Sequence, residues 1–271
     1  AKKKTKNLSA LAKINYNTLT GTQFSSSLTE PGMRSPSIKS EPKFNSVVLS
    51  DKMKAEILKI DDTRTIATGD TGYRSILATH GATEGVYYYE IKVLPPALPM
   101  PYPYVRPHLR VGFATPSCDL DLGVGSDPFG YAFRDKDGTL FNNAEGTSYG
   151  ASWKEGDIIG CMINLKPSLP EQLKRKKTVQ EAGTEEFRTL SISLGSEITF
   201  YKNGENLGSA FQNIYEGVYH PAVGLYMHAK CKFNFGPEFS ISPKVPNDTK
   251  YKPFSILFEE QDPVFTDKSI D

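Results

Sequence analysis

The chain has 271 residues with a net charge of +1, 38% hydrophobic and 11% aromatic side chains. That is enough apolar material for a packed core and argues against wholesale disorder. Its three cysteines lie far apart and match neither a disulfide framework nor a zinc cluster, and no apolar run is long enough to span a bilayer. Together these features predict a soluble intracellular protein with reduced thiols and no membrane partner.

Residues 1–45 hold few large apolar side chains and many Lys, Ser, Thr and Pro, the composition of a flexible arm. Residues 1–60 carry 11 Lys and Arg against 4 Asp and Glu, whereas the remainder carries 21 against 27. A basic arm on a mildly acidic body suggests contact with nucleic acid or another anion. From Val47 onward, short apolar segments recur between turn signals at the spacing of an all-β sandwich. Strands are expected at 55–60, 65–67, 75–79, 85–93, 109–115, 130–133, 157–165, 190–194, 198–201, 221–226 and 230–235.

The clearest pair is GVYYYEIKV at 85–93 and LRVGFAT at 109–115. Tyr87, Tyr89, Ile91 and Val93 alternate with Tyr88, Glu90 and Lys92, the period of a half-buried strand. Leu109, Val111 and Phe113 share one face, which puts Arg110 on the other. In YAFR, Arg134 stands opposite Tyr131 and Phe133 by the same parity. Two guanidinium groups on one face suit the forked recognition of carboxylate or phosphate. Equally, each arginine could pair with an acid of this chain, and spacing alone leaves both readings open.

Asn203-Gly204 and Asp137-Gly138 mark tight hairpins. Two insertions interrupt the rhythm. Residues 94–107 contain six prolines and must leave the sheet. Residues 166–189, with KRKK and EAGTEE, read as a mobile surface loop. The glycine-rich run LGVGSDPFG at 122–130 lacks the ending of a phosphate-binding loop and does not open a helix. It reads as a connection needing unusual backbone angles. Asp135-Lys136-Asp137-Gly138 departs from a calcium loop in both its glycine and its closing position. His80, His108, His220 and His228 show no ligand spacing and neighbour no nucleophile motif. No catalytic site, metal or cofactor is expected, which points to a binding module.

GVYYYEIKV, LRVGFAT, LGVGSDPFGYAFRDKDGTLFNN, WKEGDIIGCMINL, ITFYKNGENLG, YHPAVGLY and CKFNFGP, in this order, resemble the hallmarks of a SPRY domain. With GDTGYRSILATHG before them and FNFGPEF and YKPFS at the end, the chain resembles more narrowly the Ash-type or yeast Bre-type SPRY subunit of COMPASS/MLL histone methyltransferase complexes. The resemblance covers about residues 49–255, and the two insertions, unlike the compact animal domain, point to a fungal member. It implies a SPRY (B30.2-like, concanavalin-like) β-sandwich of two antiparallel sheets over residues 46–250. It also implies a nuclear, non-catalytic subunit that binds an acidic segment of a WD-repeat scaffold. The pair would stimulate a SET-domain subunit that methylates lysine four of the histone H-three tail.

In the family the acidic segment sits in a pocket of one tyrosine, two arginines and a proline–tyrosine wall. The tyrosine matches Tyr73 and the arginines match Arg110 and Arg134, while an ungapped alignment back from YAFR puts Gly123 and Ser126 at the wall. A helix after the core docks a small dimeric Dpy/Sdc-type helical subunit. Here the tail, 251–271, starts like the family's, but Pro263 would break a helix. Ile256, Leu257 and Phe258 are either a remnant apolar anchor or the approach to a helix further on. Lys2, Lys3, Lys4 and Lys6 become candidates for nucleosomal DNA contact, as do the two insertions. The alternatives are a SPRY peptide-binding adaptor for ubiquitin ligation or signalling, although no ligase-recruiting box is visible, and an enzyme with an unrecognised site.

Overall fold

Period-two alternation resolves into two packed sheets in the computed structural model, which describes residues 46–99, 105–246 and 249–261. The chain divides into two units, Ala1–Pro42 and Lys43–Asp271, and every described residue belongs to the second. Lys2, Lys3, Lys4 and Lys6 lie outside the described residues, as does Pro263.

The strands in chain order begin with β1 (Leu49–Lys54), β2 (Lys59–Ile60), β3 (Ile66–Thr68), β4 (Arg74–Ala78), β5 (Gly85–Leu94) and β6 (His108–Ala114). Next come β7 (Gly130–Arg134), β8 (Thr139–Asn142), β9 (Glu145–Ser148), β10 (Ile158–Leu165), β11 (Arg175–Gln180) and β12 (Phe187–Ile192). The series closes with β13 (Glu197–Lys202), β14 (Glu205–Gln212), β15 (His220–Tyr226), β16 (Lys230–Asn234), β17 (Lys252–Pro253) and helix α1 (Ile256–Gln261). One sheet runs β1-β4-β15-β6-β7-β8-β9 and the other β14-β13-β10-β5-β16-β3-β2, with β17 added in parallel beside β5.

The facing sides of the sheets form the core. Tyr89, Ile91, Val111, Phe113, Phe133, Cys161, Phe200, Val223 and Phe233 are all buried there, as their alternation predicts. Cys161 and Cys231 are buried free thiols. The Asn203-Gly204 hairpin has positive φ at both residues, 51° and 84°, the backbone a two-residue turn between twisted strands requires.

Four expectations change. The segment 55–60 is not one strand: Leu49–Lys54 and Lys59–Ile60 are the strands, with a turn between them. Residues 166–189 are not simply a loop, because β11 and β12 pair over six registered positions as a two-stranded antiparallel hairpin. It is knitted by polar contacts that leave no apolar period, such as Thr178 to Thr189 and Arg188 to Glu181 and Glu186. Glu90, on the face of β5 away from the core, is only 1% exposed. The strap after β16 covers it, and the backbone N–H groups of Ser240 and Ile241 donate to its carboxylate at 2.8 and 3.2 Å. Finally, the segment from Tyr251 to Gln261 is part of the domain, since Phe254 and Leu257 belong to the core.

Candidate functional site

Four neighbouring strands bring the predicted site residues to one outer face of the seven-stranded sheet. Arg110 on β6 lies in register with Arg134 on β7 and with Gly224 on β15. Two positions along, His108 registers with Tyr226. On the far side of β7, Phe141 of β8 registers with Ala132, one alternate position from Arg134. Side chains at alternate positions share a face, so Phe141, Arg134, Arg110, Tyr226 and His108 all emerge together. Tyr73 enters this group from the turn just before β4.

The loop between β6 and β7 lies across part of this face. It approaches so closely at Gly224 that a Cβ there would stand 2.9 Å from the Val124 nitrogen. Gly123 faces the Tyr73 ring, and a side chain at that position would press on the ring at about 3.1 Å. These two glycines thus serve close packing rather than unusual backbone angles; within the run, Gly125 has the positive φ, 83°. Asp127 ties the loop down, accepting from the backbone N–H groups of Asp119 and Phe129 at 2.7 and 2.9 Å.

Arg110 is the centre of the arrangement. Its guanidinium carbon lies 3.8 Å from the Phe141 ring centroid and 4.8 Å from that of Tyr73. Nη1 donates to Ser126 Oγ at 3.3 Å, while the buried Nε has no partner. No carboxylate among the described residues forms an ion pair with it. Burial lowers its pKa from the ordinary arginine value, partly offset by Tyr73, but a guanidinium remains charged. Burial also pushes the Tyr73 hydroxyl up to about 12 against the nearby Arg110 charge, so it stays a neutral phenol.

Arg134 differs. Its Nε and Nη2 form a forked contact with Asp137, and hydrogen bonding from this arginine holds the Asp137 carboxyl down to about 2. For Arg134 the pairing within the chain, left open by the sequence, is therefore the one formed, although its guanidinium also sits 4.6 Å from the Phe141 centroid. The set Arg110, Arg134 and Asp137 keeps one net positive charge. Tyr226 extends the aromatic floor, with ring centroids 5.1 Å from Tyr73 and 6.1 Å from His108.

The structure brings together Tyr73, Arg110, Arg134 and Ser126. Phe141 and Tyr226 are the residues sequence reasoning missed. Phe141 was recoverable in part, since it sits at an alternate position in TLFN just after the Asp137-Gly138 turn. Tyr226 depended on the pairing of β15 with β6, strands far apart in the chain.

Such a site can hold an anionic group against a desolvated cation, flanked by aromatic faces and a hydroxyl. No three His, Cys, Asp or Glu side chains among the described residues are placed to hold a metal ion. Cys118 is a poor nucleophile, because burial pushes its thiol up to about 12.

Residues 86–168 and 189–238 match the SPRY domain family. The chain is 33% identical over 231 residues to "Set1/Ash2 histone methyltransferase complex subunit ASH2" of Drosophila melanogaster, covering 80% of this chain and 40% of that protein. It is 27% identical over 249 residues to "Set1 complex component ash2" of Schizosaccharomyces pombe, covering 74% of this chain and 37% of the relative. The chain thus spans about two fifths of the length of each of these two relatives. Among solved structures, the SPRY domain of human HERC1 is similar at 22% identity and a TM-score of 0.48, covering 68% of this chain and 96% of that one.

Proposed function

The chain belongs to the Ash2 type of SPRY-domain proteins, and on that premise we propose that it is a non-catalytic assembly and stimulatory subunit of a nuclear histone methyltransferase complex. In this reading Arg110 receives a carboxylate or phosphate from an acidic segment of the WD-repeat scaffold subunit, and the assembled pair stimulates the SET-domain subunit. The observation that carries it is the state of Arg110, a half-buried guanidinium stacked between Phe141 and Tyr73, with a buried Nε unpartnered and no ion pair to an acid among the described residues.

A buried cation without a counter-charge costs folding free energy, and an acidic ligand turns that cost into affinity. Arg134, already paired with Asp137, contributes less. An incoming carboxylate must share it with that acid, so it acts chiefly by fixing Phe141 and the local potential. Ser126 orients the Arg110 fork, and Tyr73 forms one wall. At the proline–tyrosine wall that the resemblance implies this chain has Gly123 and Ser126, and the aromatic faces beside Arg110 come from Phe141 and Tyr73.

Calorimetric titration of the acidic scaffold segment tests the reading. Truncating one partner of a desolvated charged contact costs roughly 2–5 kcal/mol, so Arg110→Ala is expected to weaken binding more than tenfold, and Arg134→Ala less. Equal affinity of wild type and Arg110→Ala would remove this pocket from the proposal.

A further inference from the structure

Three buried polar side-chain atoms have no hydrogen-bond partner among the described residues: Arg110 Nε, Asp135 Oδ1 and Trp153 Nε1. Arg110 belongs to the site above. Asp135 and Trp153 both line a separate cavity of about 580 Å³ where the end of β5, the start of β6 and the turn after β7 meet residues 152–155. That volume lies in the range of about 300–1,000 Å³ typical of ligand pockets.

The cavity adjoins the arginine site. His108 Nδ1 lies 3.3 Å from each Asp135 oxygen but is aligned for a hydrogen bond with Oδ2 alone, leaving Oδ1 unfilled. The other side of this histidine faces Tyr226, which in turn packs on Tyr73 and so leads to Arg110.

The two unfilled groups are of opposite sense, since an indole N–H only donates and a carboxylate only accepts. A free anion could satisfy Trp153 but not Asp135. A peptide main chain offers both donors and acceptors. The rim adds Arg106, Lys136, Lys154 and Lys230, none in an ion pair among the described residues, against the acids Asp135 and Glu155. The surroundings therefore favour a peptide with negative charge. An unpaired buried polar group costs about 1–3 kcal/mol, so three at one end of the sandwich mark a surface left incomplete until a partner arrives.

We infer that this cavity is a second subsite for the acidic segment, which continues past Arg110 and His108 into it. A main-chain N–H of the segment donates to Asp135, a main-chain carbonyl accepts from Trp153, and an acidic side chain lies beside Lys154. Both protein atoms are sealed from solvent in the free chain, so seating the segment requires side-chain rotation at the wall, a common event on complex formation. The inference rests on the proposed binding of the scaffold's acidic segment.

The test is calorimetry with two synthetic peptides, the acidic segment alone and the same segment with eight flanking residues on each side. The longer peptide is expected to bind wild type about tenfold tighter, a difference of about 1.4 kcal/mol. Trp153→Phe, which removes the unfilled donor together with part of the buried ring, and the exposed Lys154→Glu should each remove most of that gain while leaving the shorter peptide's affinity unchanged. Arg110→Ala should weaken both peptides. Equal binding of the two lengths to wild type overturns the second subsite while leaving the Arg110 reading intact, and so does a gain that both variants retain in full. If neither peptide binds wild type, the scaffold reading fails and this inference fails with it.

Discussion

Arg110 and Arg134 face each other across adjacent strands, and one aromatic ring makes that placement tolerable. Phe141 lies within 3.8 Å of one guanidinium carbon and 4.6 Å of the other, offering its negative face to two like charges that would otherwise meet directly. Asp137 neutralises one of them, leaving Arg110 the cation with no ion pair among the described residues. A stacked cation–π contact contributes about 0.5–2 kcal/mol, more where water is excluded. Phe141→Leu keeps apolar bulk but loses the ring face. We expect it to weaken binding of the acidic segment about three- to tenfold in calorimetry, with the melting temperature lowered by no more than about 4 °C. Unaltered affinity would mean that the aromatic face does not hold Arg110 in its binding geometry.

At the scale of elements, the β11–β12 hairpin stands apart from the sandwich. Within it Val179 is the buried apolar side chain and Phe187 is 66% exposed, while Leu173, just before β11, is 61% exposed. Its ties to the body are polar: Asn143 donates to the Gln180 carbonyl and accepts from the Ala182 N–H, and Lys174 pairs with Glu216 at 2.7 Å. A two-stranded hairpin is marginal by itself, and the entropy of ordering it offsets much of what these contacts contribute. Replacing residues 175–188 by a short Gly-Ser linker is therefore expected to lower the melting temperature by less than about 5 °C and to leave binding at Arg110 unchanged. A fall of more than about 10 °C in a thermal melt would show the hairpin to be integral to the core. This element was also the least legible in the sequence. A strand announces itself by alternating apolar residues, and RKKTVQ paired with FRTLSI is stabilised by cross-strand polar pairs instead. The 85–93 and 109–115 strands were legible because each buries one face on the core. Arg110 and Arg134 followed from parity alone. Glu90 defeated the same rule, because what buries it is a strap from residues 236–241 whose course no local period encodes.

Over the described residues, the chain covers one outer face of the sandwich with its own C-terminal segment. Tyr88, Met162 and Tyr201, outside the main core on the eight-stranded sheet, are covered by Phe239, Val245 and Tyr251. Beyond them β17 joins β5, and Phe254 enters the main core within ring distance of Tyr87, Tyr89 and Phe113, at 5.4, 5.8 and 5.9 Å. Leu257 follows at 2% exposure, and Gln261 donates to the Gly81 carbonyl. Residues up to 261 thus serve the sandwich. Removing a buried phenylalanine costs about 3–5 kcal/mol and a buried leucine about 2–5, together comparable to the whole stability of an ordinary domain, about 5–15 kcal/mol. A chain ending at residue 250 is therefore expected to lose cooperative unfolding in guanidinium and to precipitate, whereas one ending at residue 261 should unfold at nearly the wild-type midpoint. Loss of partner binding on cutting at 250 would then report an unfolded domain, and only a cut after 261 can separate docking by the tail from the integrity of the Arg110 site. A chain ending at 250 that unfolded cooperatively at the wild-type midpoint would place Phe254 and Leu257 outside the stabilising core.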